Sequence, residues 1–193
     1  YERYIRELAI FGANCIENIP LQDKTNVLMK LPRREMNKRI SALCARYDVD
    51  YWVWTPADFD LSDAGLRQAA LEKHEELYRD CIRLDGIFFP GGDPGNNHPR
   101  LVMPFLEELS KRLRVHHPRA GIWISLQGFN RESVEYFFEY LNEHDPDWLA
   151  GMVAGPSSPP IEMTRARLRR KYRLRSYPDI THTVRCQYPI PNW

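Results

Sequence analysis

The sequence predicts an α/β fold in which six parallel strands alternate with six helices, as part of a (β/α)₈ barrel. Short apolar runs that suit buried strands alternate with longer runs whose apolar residues recur at helical spacing. Strands joined by helical crossovers run parallel. The glycine-rich loop that usually follows the first strand of a doubly wound nucleotide-binding sheet is absent from the sequence. Polar residues follow nearly every strand, as in barrels, whose sites gather at that end.

The individual elements follow from the same periodicity. Helices are expected at 1–11, at 36–44, from a cap at Ser62 to about 78, around 105–116, from a cap at Asn130 to about 141, and at 161–171. Strands are expected at 13–19, 51–54, 87–89, 121–125, 149–154 and 174–177.

The composition is that of an ordinary globular protein. The chain has 193 residues, 43% of them hydrophobic, and 27 basic side chains against 26 acidic ones. A net charge of +1 provides no general attraction to nucleic acid or to an anionic membrane. The apolar runs fall far short of the roughly 20 residues that cross a bilayer. We therefore expect neither a nucleic-acid partner nor a membrane span.

Six strands make an incomplete barrel, since a complete one takes about 250 residues. We interpret the strands as the second to the seventh, with the first and last missing, and residues 1–193 as one incomplete catalytic domain. Its expected partners are then the remaining barrel strands and other modules of a longer chain. The four cysteines lack the spacing of a disulfide scaffold or a redox motif, so we expect reduced and mostly buried thiols.

The strongest local signal is the glycine-rich loop at 90–97, directly after the third strand. Such a loop brings backbone close to a ligand and delivers one carboxylate, so Asp93 is the leading catalytic candidate, with Gly92, Asn96 and Asn97 as substrate-binding candidates. The alternative is a tight turn in which Asp93 bonds its own backbone. An anion-binding nest is less favoured, because the loop contains neither lysine nor arginine.

A second cluster follows the last strand. It combines acidic, basic, amide and phenol groups, which a pocket for a polyhydroxylated ligand needs as fixed donors and acceptors. Its members are the catalytic candidate Asp179 and the substrate-binding candidates His182, Arg185, Gln187 and Tyr188. The alternative is a surface loop with a capping aspartate.

Further candidates follow the first, second and fourth strands. Glu17 is a catalytic candidate, and Asp58 and Gln127 are substrate-binding candidates. Strand alternation places Trp52 and Trp54 on one face. Trp54 lies nearer the strand end and is a candidate for stacking on a sugar ring. The alternative for both tryptophans is packing between the sheet and the helices.

Two other patterns are assigned no function. The basic run between Arg165 and Arg175 is interpreted as a solvated face of the sixth helix, far from the carboxyl ends of the strands. A metal site from Glu17, Asp93 and His182 is conceivable, but no metal-binding motif supports it. We therefore predict no metal and no cofactor.

The segments 4–14, 89–95 and 176–182 resemble the barrel domains of large bacterial glycoside hydrolases of the β-N-acetylhexosaminidase and α-glucuronidase sort. The resemblance implies an acid at the end of barrel strand four, where Asp93 falls, and an exported protein, although the compartment stays open. Hexosaminidases typically have two adjacent carboxylates there, whereas Pro94 follows Asp93 in this sequence.

The expected activity is therefore cleavage of a glycosidic bond. This reaction needs one protonated carboxyl group and a second carboxylate or a substrate group. We expect Asp93 to be the general acid, in an apolar pocket flanked by Phe89, and Asp179 or Glu17 to be its partner. The alternatives are a metal-dependent barrel hydrolase or isomerase and a non-catalytic carbohydrate-binding barrel.

Overall fold

The computed structural model describes residues 1–18, 31–155 and 157–177. In this part of the chain, six strands and six helices alternate, as predicted. The strands are β1 (Cys15–Asn18), β2 (Asp50–Trp54), β3 (Gly86–Phe89), β4 (Gly121–Ile124), β5 (Leu149–Ala154) and β6 (Arg173–Ser176). The helices are α1 (Glu2–Ile10), α2 (Arg33–Arg46), α3 (Ala64–Asp80), α4 (Pro99–His116), α5 (Arg131–His144) and α6 (Ile161–Arg167).

The strands lie side by side in chain order, and every neighbouring pair is parallel. A doubly wound sheet reverses its strand order at a switch point, where its ligand binds. No reversal occurs between β1 and β6, so the strands form a half-barrel with the helices outside. The predicted fold class, a partial (β/α)₈ barrel, is confirmed.

The outer face of the sheet packs against the helices and forms the main core. Alternate strand residues such as Tyr51, Val53, Ile87 and Phe89 are completely buried in this core. Phe89 packs edge-on against Phe105 of α4, with ring centroids 6.4 Å apart. Because neighbouring strand residues point to opposite faces, the residues between them line the inner side of the half-barrel.

We call this inner side the concave face, and its described part is aromatic. A separate cluster there contains Trp52, Phe88, Trp123 and Val153, with Trp54 partly buried beside them. The rings of Trp52 and Trp123 lie 5.0 Å apart. The two β2 tryptophans share a face, as predicted. The alternative that they pack between sheet and helices is wrong, because that space lies on the other side of the strands.

Glycines make room for these indoles. A Cβ atom at Gly86 would lie 2.8 Å from the Trp52 ring, and one at Gly151 would lie 2.7 Å from the Trp123 ring. Neither distance is compatible with ordinary carbon contacts, so each glycine lets an indole lie across a neighbouring strand. The indoles on β2 and β4 therefore require glycine on the neighbouring strands β3 and β5.

Two predicted element boundaries need correction. Asp63, not Ser62, caps α3, because its carboxylate accepts hydrogen bonds from the N–H groups of Gly65 and Leu66. The sixth helix ends at Arg167 instead of continuing to 171. Asn130 caps α5 as predicted and accepts a bond from the Ser133 N–H group.

The remaining general predictions concern thiols and membranes. Cys15, Cys44 and Cys81 are free thiols, with Cys44 and Cys81 buried, whereas Cys186 lies outside the described residues. Within the described ranges, no helix combines the length and the apolar character needed to cross a membrane.

Candidate active site

The loops after β3 and β4 join two of the predicted site residues. The Gly92 N–H group donates to the Gln127 carbonyl at 2.8 Å. The side-chain amide of Gln127 in turn donates to the Asp93 carboxylate at 2.8 Å. Asp93 and Gln127 therefore meet at the carboxyl end of the sheet, where barrel enzymes place their sites.

Glycines at positive φ allow these loops to pack backbone against backbone. A Cβ atom at Gly91 would lie 2.6 Å from the Ser125 carbonyl oxygen, and one at Gly95 would lie 1.9 Å from the Ala57 carbonyl oxygen. Gly95 has a φ of 103°, which also disfavours any side chain. The glycines of the loop after β3 thus allow it to pack closely against the loops that follow β2 and β4.

Asp93 itself is exposed. Phe89, which was expected to flank it, points to the outer core and packs on Phe105. The expected apolar pocket bounded by Phe89 is therefore wrong. Side chains alternate along a strand, and in the adjacent pair at 88 and 89 it is Phe88 that faces inward.

Asn97 has a structural task in the same loop. Its side-chain oxygen accepts from the Leu61 N–H group at 2.9 Å, and its side-chain nitrogen donates to the carbonyls of Ala57 and Phe59. The amide is buried and already bonded at both ends, so it holds the β2 loop in place. Asn96 and Asp58 are both exposed in these loops.

Glu17 lies on the concave face. It is two residues from Cys15, which packs with the aromatic cluster, and it is aligned with Trp52 of β2. Its side chain reaches solvent, yet the surrounding half-barrel desolvates the carboxylate and raises the pKa of Glu17 to about 7. A carboxyl group of this pKa exists in both protonation states near neutral pH, as acid–base catalysis requires.

Two arginines on β6 face the same aromatic cluster. The guanidinium carbon of Arg175 lies 4.5 Å from the Trp52 ring centroid and 4.4 Å from that of Trp123. That of Arg173 lies 5.3 Å from the Trp123 centroid. Their assignment to a solvated face of the sixth helix is wrong, because the chain leaves the helix at Leu168 and enters β6 at Arg173.

The sequence itself contains a signal for the inward orientation of these arginines. They alternate with Leu174, which packs against the outer core, so both arginines must face inward once this segment is a strand.

The pKa of the Cys15 thiol reflects charges from both edges of the described sheet. Burial is the main cause that raises the pKa of the Cys15 thiol to about 12, and the negative charges of Asp50 and Glu17 raise it further. The positive charge of Arg175 lowers this pKa. Such a thiol is protonated at neutral pH and is a poor nucleophile.

Five of the predicted site residues belong to the last part of the chain. Asp179, His182, Arg185, Gln187 and Tyr188 lie outside the described residues. Between residues 1 and 177, as far as they are described, no group of three His, Cys, Asp or Glu side chains is arranged to hold a metal ion.

A cleft of about 700 Å³ lies at the opposite end of the strands. Arg83 dominates it and binds Asp48, Asp50 and Asp85 at 2.7 to 2.8 Å. This amino-terminal end of a barrel generally serves stability. We therefore place the candidate site on the concave face and the rim above it.

Comparison with known proteins adds a likeness of fold. No family model and no curated protein sequence matches the chain, so neither supports the resemblance to glycoside hydrolases. A solved structure does match, a crystal structure of D-psicose 3-epimerase in the presence of D-fructose. The TM-score is 0.50 and the identity 13%, over 91% of this chain and 78% of the epimerase chain. The two proteins share a barrel architecture.

Proposed function

We propose that residues 1–193 form most of a single carbohydrate-processing barrel domain, in which Glu17 transfers a proton and aromatic side chains hold the sugar. The observation that carries this proposal is a carboxyl group with a pKa of about 7 beside an aromatic surface. The fold it shares with a sugar epimerase is compatible with such an activity. Catalytic pKa values near the working pH give the most effective proton transfer.

Trp54 is the ring best placed to contact a sugar. Trp52 and Trp123 are 6% and 2% exposed and form the floor, whereas Trp54 is only partly buried. An indole offers a flat apolar face that suits the C–H face of a pyranose and excludes water from one side of it. The sugar hydroxyls would then face Glu17 and the polar loops, where Gln127 and Asp93 lie.

In glycoside hydrolysis, Glu17 would act as the general acid that protonates the leaving oxygen. A second carboxylate is required on the other side of the sugar. Asp93 at the rim is one candidate and Asp179 is another. Asp93 is exposed at this rim, and its carboxylate accepts a hydrogen bond from the side-chain amide of Gln127.

A specific observation favours a second reaction, isomerisation or epimerisation next to a carbonyl group. Glu17 shares its face with the cations Arg173 and Arg175. In this reaction Glu17 would remove a proton from the carbon beside the carbonyl to give an enediolate. In isomerisation Glu17 would return the proton to the neighbouring carbon, and in epimerisation a second acid would protonate the opposite face of the same carbon. An arginine would stabilise the negative charge that develops on the carbonyl oxygen.

The pH dependence of the rate separates these roles. A general acid of pKa about 7 loses activity as the pH rises through 7, because its proton is lost. A general base of the same pKa loses activity as the pH falls through 7. We would assay aryl glycosides for hydrolysis, and ketoses in D₂O for deuterium incorporation at the exchanging carbon.

Glu17→Gln removes the titration while preserving the shape of the side chain. We expect kcat to fall by about 10²- to 10⁴-fold and the limb of the pH profile near 7 to disappear. Glu143→Gln, on the exposed surface of α5, makes the same change of charge and should leave kcat unchanged. If Glu17→Gln binds and turns over sugars as the wild type does, the catalytic role is wrong. Binding without turnover in the wild type would favour the carbohydrate-binding alternative.

A further inference from the structure

Arg173 and Arg175 carry charge that nothing else in the described structure uses. Both are exposed, and neither forms an ion pair with a carboxylate among residues 1–18, 31–155 and 157–177. Arg34, Arg83 and Arg167 each bind at least one carboxylate, whereas other exposed arginines in these ranges, such as Arg165, also lack one. The two β6 arginines instead contact the rings of the concave face.

Neither guanidinium group uses its N–H donors in a side-chain hydrogen bond or ion pair with another described residue. A guanidinium group that lies over an aromatic ring uses its face, whereas its N–H donors point outward along its edge. Arg175 lies over two indoles at once, at 4.4 and 4.5 Å, which restricts its position. An arginine held in this way loses little further freedom when it binds an oxyanion with two parallel hydrogen bonds.

The two cations are also close to each other. Both contact the ring of Trp123, so their charges lie within roughly one Debye length, about 8 to 10 Å at physiological ionic strength. Two unneutralised positive charges at this distance repel each other. An anion that carries about −1.5 to −2 charges, such as a phosphate ester, relieves this repulsion better than a carboxylate does.

We infer that Arg173 and Arg175 form an oxyanion subsite on the concave face and that the substrate is a sugar that carries a phosphate or carboxylate group. This inference rests on the proposed function, because it specifies the substrate class of the same site. Trp54 would hold the apolar face of the sugar, and the arginines, which lie over the floor of Trp52 and Trp123, would hold its anionic group. In the hydrolytic reaction, Glu17, on the opposite edge of the described sheet, would then act on the other end of the sugar.

Equilibrium binding tests the subsite without any need for turnover. The probes are glucose 6-phosphate, glucuronate and glucose, and the signal is tryptophan fluorescence, because Trp52 and Trp123 contact the arginine. We expect the phosphate ester to bind at least about tenfold more tightly than glucose, in line with a charge-assisted hydrogen bond. Added salt should weaken this binding. Stronger binding of glucuronate than of the phosphate would identify a carboxylate as the natural group.

Arg175→Gln should abolish the preference for the anionic sugar over glucose. Arg165→Gln, on exposed α6, removes the same charge away from the rings and is the matched control. Arg175→Lys keeps the charge but loses the planar fork, so it should bind the phosphate ester with intermediate affinity. Should Arg175→Gln prove unstable in a thermal melt, Arg173→Gln provides the same test.

Two results would overturn the inference. One is equal affinity of the wild type for all three sugars, and the other is an equal loss of phosphate binding in Arg165→Gln and Arg175→Gln. Turnover of neutral sugars that depends on Glu17 would then still support the proposed function. Conversely, Arg175-dependent binding with turnover that is indifferent to Glu17→Gln would retain the subsite and reject the acid–base role of Glu17.

Discussion

The half-barrel treats charge differently at the amino ends of its strands and on its concave face. At the amino ends, Arg83 binds three aspartates, and one of them, Asp85, also accepts the Tyr51 N–H group. On the concave face, Arg175 lies over two rings and forms no ion pair with a carboxylate among the described residues. Charges with fixed partners inside the protein stabilise the fold, whereas charges left without them are available to a ligand. The contrast therefore separates a stabilising end from a candidate binding face.

The protonation equilibria show the same difference. The pKa of Arg83 is held well above its ordinary value by its aspartate partners, Asp85 foremost, because each of them favours the charged form of the guanidinium group. The surrounding half-barrel desolvates the Glu17 carboxylate and raises its pKa to about 7, although the side chain reaches solvent. One environment stabilises a charge and the other destabilises one. Destabilised charges are typical of functional sites.

The largest effect on stability should come from the rim above the concave face. Gly95→Ala would place a Cβ atom against the Ala57 carbonyl oxygen at a positive φ, so we expect a loss of about 2–4 kcal/mol in the free energy of unfolding. Gly12→Ala is the control, since Gly12 has a φ of 88° but no atom within 4 Å of the added Cβ. It should cost only about 1–2 kcal/mol. Urea titration measures both, and equal losses would show that the rim packing is not tight.

The second effect tests the amino-terminal end. Arg83→Met removes three ion pairs but keeps much of the buried stem, so we expect a loss of about 1–3 kcal/mol. The activity of the folded protein should not change, because the site is on the other side of the sheet. Urea denaturation and kcat are the two measurements. A drop in kcat without a drop in stability would contradict the separation of the two regions.

The third effect has the opposite sign. Glu17 has a raised folded-state pKa, so the cost of ionising it is absent below its unfolded-state value of about 4.5 and grows as the pH rises towards 7. Glu17→Gln removes this cost. The variant should therefore be more stable than the wild type at pH 8 and equal to it at pH 4, as measured by thermal unfolding. A variant that is less stable at pH 8 would show that the carboxylate contributes to the fold.

The smallest effect should appear within the Arg83 network itself. The Asp48 side chain is 96% exposed, although its carboxylate lies 2.8 Å from Arg83. Water and salt screen such a pair, so Asp48→Asn should change the free energy of unfolding by less than about 0.5 kcal/mol. Asp85→Asn, at 31% exposure, should cost more, because it also weakens the bond from Tyr51. Urea titrations of the two variants would reveal this order.

Much of the architecture followed from the sequence alone. The alternation of helical and strand periodicity predicted all six β/α pairs, and Asn130 marked the start of α5, because these are local properties of the chain. The loops after β3 and β4 were correctly placed beyond strand ends. Because β3 and β4 are parallel neighbours, these loops lie side by side, and Gln127 donates to Asp93 at 2.8 Å.

The tertiary structure decided which side chains face the half-barrel interior and what that interior does to them. Phe88 and Phe89 are equally apolar, and only the helices packed on one side show that Phe89 belongs to the core. The indoles that receive Arg175 come from β2 and β4, far away in sequence. The pKa of Glu17 likewise depends on the other strands of the curved sheet, which exclude water from around its carboxylate. Local periodicity determines elements, whereas contacts between distant strands determine the environment of a charge.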